Sequence, residues 1–552
     1  MSTADAVTDA RFRARRTQNW VFLGLMYAMF YMGRYNFSAV NALLAQKFGW
    51  TNTDLGQIIS WGKVTYGVSV FLNGPIADRI GGKKAILIGA VGACLFNLAF
   101  GLGSYFLVTD AVWNGKVLVT PAVLRDGMSA STVVASFSVL WALNHYFQSF
   151  GALSIVKINA AWFRLPERGS FAGIFGIMIQ SGRTLAFSVG PLIAGALPWK
   201  WVFWVPSLAL AVLIVLNYLF VENSPAEAGL GELDTGDETA DEKAQTGGLT
   251  FVLKKVFLSK AALTVALASM MIGFVRNGID DWWAKYFINV QGAQAAQKAA
   301  MIKYNVGALI ASILIILGIL RVKRAVDARK DWAPLKRFGA SFSLVGVVFL
   351  MVGGGVAAIN AQVAPGMVPS ICFQFASVGM PIAAVFGGLV SGNASDALFQ
   401  SRRAPVIFIA FLGMASFGAL FSLLPGGPFF AACMLIGLSF FIQAAHSMVG
   451  GAASMDFGGR KAVATAAGLF DGAQYLAGAI AAQGIGRLVD ARGWSMWGWT
   501  YVPFAVIGAL LMLRLWNAKP GAGGHGGAPP PGPADAHVAN VAEVREKEIP
   551  AG

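Results

Sequence analysis

Apolar residues along the 552-residue chain fall in long blocks separated by short charged or glycine-rich breaks. A block of roughly 20 such residues crosses the ~30 Å hydrocarbon core of a bilayer as a helix. The pattern predicts helices near 18–43, 55–77, 83–107, 131–162, 169–196 and 200–221. It resumes near 258–289, 303–320, 338–358, 367–395, 404–424, 427–452, 462–488 and 495–517. Alternating ten-residue strands of a membrane barrel are absent from the sequence, and in lipid only helices or closed barrels satisfy the backbone. The expectation is an all-α integral membrane protein with fourteen spans, six before a polar stretch and eight after it.

That stretch divides the chain. Residues 222–257 are rich in Asp, Glu, Gly and Thr and read as a soluble linker between a six-helix bundle at 18–221 and a second bundle at 258–517. Residues 1–17 form a short polar N-terminus with Arg11, Arg13, Arg15 and Arg16. The first block lacks a small-residue cleavage site and carries Arg34, so it reads as a retained helix. Residues 518–552 are rich in Gly and Pro and read as a disordered tail.

Composition supports the membrane reading: 56% of residues are hydrophobic and 12% charged, too few for a soluble surface at this length. The net charge of +15 raises nucleic acid as a partner. The positive residues, however, sit mainly between apolar blocks, at alternate loops, as a bilayer demands. Arg79, Lys83 and Lys84, then Arg164 and Arg168, Arg321 to Arg337, Arg402 with Arg403, and Arg460 with Lys461 mark one face. Lys116, Arg125, Arg487 and Arg492 fall on the other, each near an aspartate. With a cytoplasmic N-terminus the alternation holds only if the helices at 303–358 come as an inserted pair, placing both termini in the cytoplasm. The partners expected are therefore a lipid bilayer and a small solute, not nucleic acid, and the chain is expected to act as a monomer. Cys94, Cys372 and Cys433 lie far apart in apolar stretches and read as buried thiols.

Candidate chemistry lies inside the spans. Arg34 and Arg276 occupy corresponding places in the first helices of the two bundles. A guanidinium at mid-membrane costs roughly 2.5–3.5 kcal/mol on the insertion scale, so it persists where it has a cavity, a partner or a task. Its planar fork matches phosphate or carboxylate oxygens. Tyr27, Tyr31 and Arg34 share a helix face by their spacing, as do Lys63 and Tyr66. The alternative for Arg276 is an ion pair with Asp280 one turn on; Arg183 either pairs with Asp471 or another acid or faces a solute. Lys157 either snorkels or binds, and His446, His145, Trp282 and Trp283 either pack or line a pocket. No nucleophile motif, metal-ligand cluster or phosphate-cradling glycine loop occurs in the sequence. Neither enzymatic activity nor a metal or cofactor is expected, and transport would run on solute or ion gradients.

Residues Gly74-Pro-Ile-Ala-Asp78-Arg79-Ile-Gly81-Gly-Lys83-Lys84 resemble the loop motif of the major facilitator superfamily. Gly392 to Asp396, followed by Arg402-Arg403-Ala-Pro405, is similar to its second-half echo, and Gly190-Pro191 to its fifth-helix motif. Further segments resemble one branch, the organophosphate:phosphate antiporters that carry glycerol 3-phosphate and hexose phosphates. These are Tyr27, Tyr31, Arg34 and Asn36 in the first helix, and Val275-Arg276 to Asp281-Trp282 in the seventh. Phe147-Gln148, Glu167-Arg168-Gly169, Glu222 to Pro225, and Ala466 to Gly472 extend the likeness. Val70 stands where that branch has a lysine, and Lys63 lies two turns earlier on the same face. Ile179, Ala376 and Ala444-Ala445 are further departures.

The resemblance implies a two-bundle fold with twelve core helices and two inserted ones. It implies a multi-pass protein of a bacterial inner membrane that exchanges an organophosphate for phosphate by alternating access. Arg34, Arg276, Tyr27, Tyr31, Lys63, Tyr66, His446 and Asn36 would bind substrate, and Asp78, Arg79, Asp281, Asp396 and Asp471 would gate or couple transport. Two alternatives remain open: proton-coupled movement of an organic acid or other solute, with Asp280, Asp281, Asp471 and His446 as proton sites, and a membrane sensor built on the same pocket.

Overall fold

The structure, a computed structural model, describes residues 3–103, 129–163, 178–233, 260–293, 332–424 and 426–517, with short pieces at 112–113, 116–117, 318, 321, 325–326 and 328–329. Thirteen helices stand among the described residues. In the first half they are α1 (Thr3–Phe48), α2 (Asn52–Ile80), α3 (Gly82–Leu102), α4 (Ala130–Trp162), α5 (178–196) and α6 (Trp201–Phe220). In the second half they are α7 (Lys260–Asn289), α8 (Pro334–Gln362), α9 (Val368–Phe399), α10 (Arg403–Leu423), α11 (Pro428–Ser447), α12 (Ser454–Arg492) and α13 (Tyr501–Arg514). Val112–Trp113 and Lys116–Val117 form a minimal antiparallel ladder between α3 and α4.

Local chemistry sets the breaks. Gly49, at φ +66°, lets the chain turn out of α1, and Thr51 with Asp54 forms a capping box that starts α2. Gly81, at φ +89°, joins α2 to α3 without a loop. In α5, Pro191 lacks the N–H that would close an ordinary turn, and the ladder widens to a π turn over Leu185–Val189 just before it. α1 starts about fifteen residues before its expected apolar block, because polar turns continue a helix in water as well as in lipid. Arg16 covers the Phe12 and Phe163 rings there.

Helices α1 to α6 pack as one bundle and α7 with α9 to α13 as a second, meeting along α2 with α12 and α1 with α7. Inserted helix α8 packs chiefly on α9 and leaves Leu350 and Met351 exposed, at 78% and 72%. It is the second of the expected inserted pair; the first, near 303–320, lies outside the described residues but for Gly318. So do residues 322–324, 327 and 330–331 of the 321–337 loop, Arg164 with Arg168, residues 169–177 of the fifth helix, the linker from 234, and the 518–552 tail.

Seven segments among the described residues, those built on α3, α6, α7, α9, α10, α11 and α13, are long and apolar enough to cross a membrane. Helices α1, α2, α4 and α12 fall outside that set, and all four send polar side chains to the centre. At one end of the interface, Asp490 on α12 accepts from Asn52 N and Nδ2 at 3.2 and 2.6 Å and from Thr53 N and Oγ1 at 2.7 Å each. One carboxylate thus caps the start of a helix in the other bundle. Gly56 and Gly486 bring the two backbones together there, because a Cβ on either would strike a carbonyl oxygen of the facing helix.

Candidate functional site

Buried charge converges midway along the interface. Arg34, 4% exposed, stands one turn beyond Tyr31 on α1, with the rings of Tyr31 and Tyr66 at 4.7 and 4.5 Å from its guanidinium carbon. Its Nε donates to Gln148 Oε1 on α4 and its Nη1 to the Tyr475 hydroxyl on α12, both at 2.8 Å. Its Nη2 is buried with no hydrogen-bond partner among the described residues. Tyr27 packs edge-on against Tyr31, one turn further from Arg34, and the Tyr66 ring lies tilted against Tyr475, with ring centres 4.1 Å apart.

Arg276 on α7 approaches the same tyrosine from the second bundle, with the Tyr475 ring centre 5.5 Å from its guanidinium carbon. Its Nη1 lies 3.2 Å from His446 Nε2, and His446 Nδ1 lies 2.9 Å from Gln474 Oε1. The amide oxygen only accepts, so Nδ1 carries the proton; Arg276 Nη1, also 3.3 Å from that Nδ1, lies against the imidazole, which holds the guanidinium in place. The Nε of Arg276 is also buried and without a partner among the described residues. Two arginines therefore reach the centre on neutral supports, each with a donor left over.

The acids pair elsewhere, with Arg183 and Lys63. Asp280 forms its ion pair with Arg183 on α5, not with Arg276, and accepts from the Tyr35 hydroxyl at 3.2 Å. Gly182 seats α5 on the backbone of α1 at Ala28 and so brings Arg183 into range. Asp281 pairs with Lys63 of α2 at 2.7 Å, and Lys63 Nζ also donates to Asn277 Oδ1 at 2.6 Å. Ser38 donates to the same carboxylate at 3.3 Å, and Asn41 to the Asp281 carbonyl at 2.8 Å. Adjacent acids on one helix thus bind α1, α2 and α5 of the other bundle. Taking charges out of water is costly unless they are paired and hydrogen-bonded, as these are.

The remaining candidates take other places. Asn36 turns away from Arg34 and donates to Asn97 Oδ1 on α3 at 3.0 Å. Asp471 lies within electrostatic reach of Arg34 and Arg276. Arg79 lies off the centre, lining a surface cleft with Lys83, Lys84 and Lys157. Lys83 meets Glu222 at 3.0 Å, and Lys157 donates to the Ala77 carbonyl at 3.1 Å. The side chains of Asp78 and Asp396 lie outside the described residues. His145 is buried against Trp141, whose carbonyl it bonds at 3.0 Å, and Trp282 and Trp283 are buried in the core. No group of metal-ligating side chains occurs among the described residues.

Sequence reasoning missed Tyr475, Gln148, Gln474, Asn277 and Tyr35 as site residues. Tyr475 had a usable signal, since it lies one turn after Asp471. Gln148 stood in the family likeness without a role, and Gln474 and Asn277 had no signal, because buried glutamines and asparagines more often satisfy backbone than solute.

Comparison with known proteins agrees with this architecture. The glycerol-3-phosphate transporter of Bacillus subtilis (strain 168) is 23% identical over 522 residues, spanning 93% of this chain and 95% of its own. The membrane sensor protein UhpC of Escherichia coli (strain K12) is 23% identical over 521 residues, covering 93% of this chain and 94% of its own. Among solved structures, a bacterial homologue of the human lysosomal transporter Spinster, inward-facing and unoccupied, superposes with a TM-score of 0.61 at 12% identity, covering 91% of this chain and 97% of its own. The D-xylose-proton symporter does so with a TM-score of 0.56 at 14% identity, covering 91% of this chain and 98% of its own. The family model of the Major Facilitator Superfamily matches residues 23–380, and the chain, a multi-pass membrane protein with that all-helical fold, belongs to this superfamily of transporters.

Proposed function

We propose that the protein is a secondary active transporter that exchanges a small organophosphate for inorganic phosphate by alternating access, in a bacterial inner membrane with both termini cytoplasmic. One observation carries the reading: two arginines, one from each bundle, Arg34 buried and Arg276 half-buried, meet at Tyr475 with buried donors unspent. Phosphate oxygens match a guanidinium fork, and a site between the bundles is where rocking alternates access. Support also comes from relatives named for glycerol 3-phosphate and, in Chlamydia pneumoniae, probable hexose phosphate transport, the latter 23% identical over 521 residues. The paired acids, Asp280 and Asp281, hold the halves together, and Asp78, Arg79, Asp396 and Asp471 are assigned to gating and coupling. We assign the chain no enzymatic step and no cofactor, and read it as a monomer.

Counterflow of labelled phosphate into phosphate-loaded proteoliposomes tests this. Uptake without a proton gradient, blocked by external organophosphate, is expected. Uptake only with an imposed pH gradient would replace exchange with proton coupling. The sensor relative favours a second reading, for which ligand binding without any flux is the signature.

A further inference from the structure

A basic cleft lies away from the centre, where the ends of α2, α4 and α6 meet the start of α3. It measures about 700 Å³ and is lined by Arg79, Lys83, Lys84 and Lys157 against Glu222 and Glu227. The side chain of Asp78, next to Arg79, lies outside the described residues. Both glutamates are committed. Glu222 meets Lys83 at 3.0 Å and Arg15 at 4.0 Å, and Glu227 accepts from Asn223 N and Nδ2 at 3.1 and 2.9 Å. Lys157 donates to the Ala77 carbonyl. The side chains of Arg79 and Lys84 are exposed and form no ion pair or hydrogen bond among the described residues. Behind them α3 begins at Gly82 without a side-chain cap, so the positive end of that helix adds to the field.

Tyr218 joins this cleft to the apolar side of the bundle. It lines the cleft, is 65% exposed, and holds its ring centre 5.7 Å from Lys83 Nζ. Beside it Leu219, Val215, Val212 and Leu208 form an exposed apolar stripe along one face of α6, a helix apolar enough to cross a membrane. We infer that the cleft binds the phosphate headgroup of an anionic phospholipid of the cytoplasmic leaflet, with the acyl chains lying along α6. A phosphate anion is common to such a headgroup and to soluble phosphate. The stripe selects the lipid, because a soluble ion gains nothing from an apolar face. Arg79 and Lys84 supply the attraction, each basic side chain near an anionic surface favouring contact about fivefold. Placement in the cytoplasmic leaflet rests on the orientation proposed above; exchange plays no part in it.

Native mass spectrometry of the purified full chain counts the lipid it retains. Phosphatidylglycerol and phosphatidylcholine of equal chain length are offered together, so that only headgroup charge differs. One phosphatidylglycerol per chain should be held at least about tenfold more strongly. Arg79→Gln/Lys84→Gln should bring that preference below about threefold. Arg11→Gln/Arg13→Gln, which removes equal charge from the N-terminus outside the cleft, should leave it unchanged. Should the first variant fail to fold, Lys84→Gln alone, at an exposed side chain, should narrow the preference. Inorganic phosphate at matched concentration should not displace the lipid. Equal retention of the two lipids, a preference that survives Arg79→Gln/Lys84→Gln, or its loss in Arg11→Gln/Arg13→Gln overturns the site. Displacement by inorganic phosphate as effective as by phosphatidylglycerol itself overturns the lipid as its ligand. Phosphate counterflow tests exchange separately, and its failure leaves this binding result standing.

Discussion

At the scale of single residues, the site is a balance of pairs. Lys63 and Asp281 are 5% and 2% exposed, so each depends on the other. Breaking a buried pair by removing one partner costs about 3–5 kcal/mol, whereas removing both is far milder. Lys63→Met should therefore lower the thermal stability of purified protein strongly, and Lys63→Met with Asp281→Asn should recover most of the loss. A double variant as unstable as the sum of the singles would show that the pair is not the relevant contact. The charged members of the site were legible in the sequence, because a cation in a spanning helix is costly enough to stand out. Their pairing was not. Asp280 lies one turn from Arg276 yet binds Arg183, a choice made by the approach of α5 to α1 at Gly182, which no spacing along one helix reveals.

At the scale of elements, the two bundles are held at one end by α2 and α12. Burial pushes the Asp490 carboxyl upward, but the hydrogen bonds from Thr53 and Asn52 outweigh it and hold the group below the usual carboxylate range. A depressed value means that this contact contributes above the free carboxylate pKa of about 3.9 and fades as pH falls through the lower bound-state value. On the expected topology this end faces outward. Asp490→Asn should loosen it at neutral pH, read as faster labelling of a cysteine placed at Leu55 or Ile58, buried on the first turns of α2. In the native protein the same increase should come only on acidification below about pH 4. Unchanged labelling in Asp490→Asn would remove Asp490 from the gate. Helix positions were readable here, since hydropathy marks them directly; the early start of α1 and the partnering of α2 with α12 were not, because neither depends on apolar content.

At the scale of the whole molecule, the inserted pair preserves the alternation of basic loops. The 321–337 loop should share a face with both termini, so a cysteine introduced there should resist impermeant reagents in intact cells and react after permeabilisation. Labelling without permeabilisation would invert the second bundle. Two bundles of related design explain why Arg34 and Arg276, far apart in the chain, arrive on either side of one tyrosine. That convergence is the central claim, and exchange by arginine variants tests it most directly. Organophosphate-for-phosphate exchange is compared in proteoliposomes of native protein, Arg34→Lys, Arg276→Lys and the double variant, with membrane insertion matched. Lysine keeps the charge and loses the fork, and a hydrogen bond to a charged group is worth roughly 1.5–3 kcal/mol, so each single variant should lose about tenfold or more. The double variant should fall short of the product of the two losses, because both residues act on one bound substrate. Near-native exchange in either single variant would place the site elsewhere.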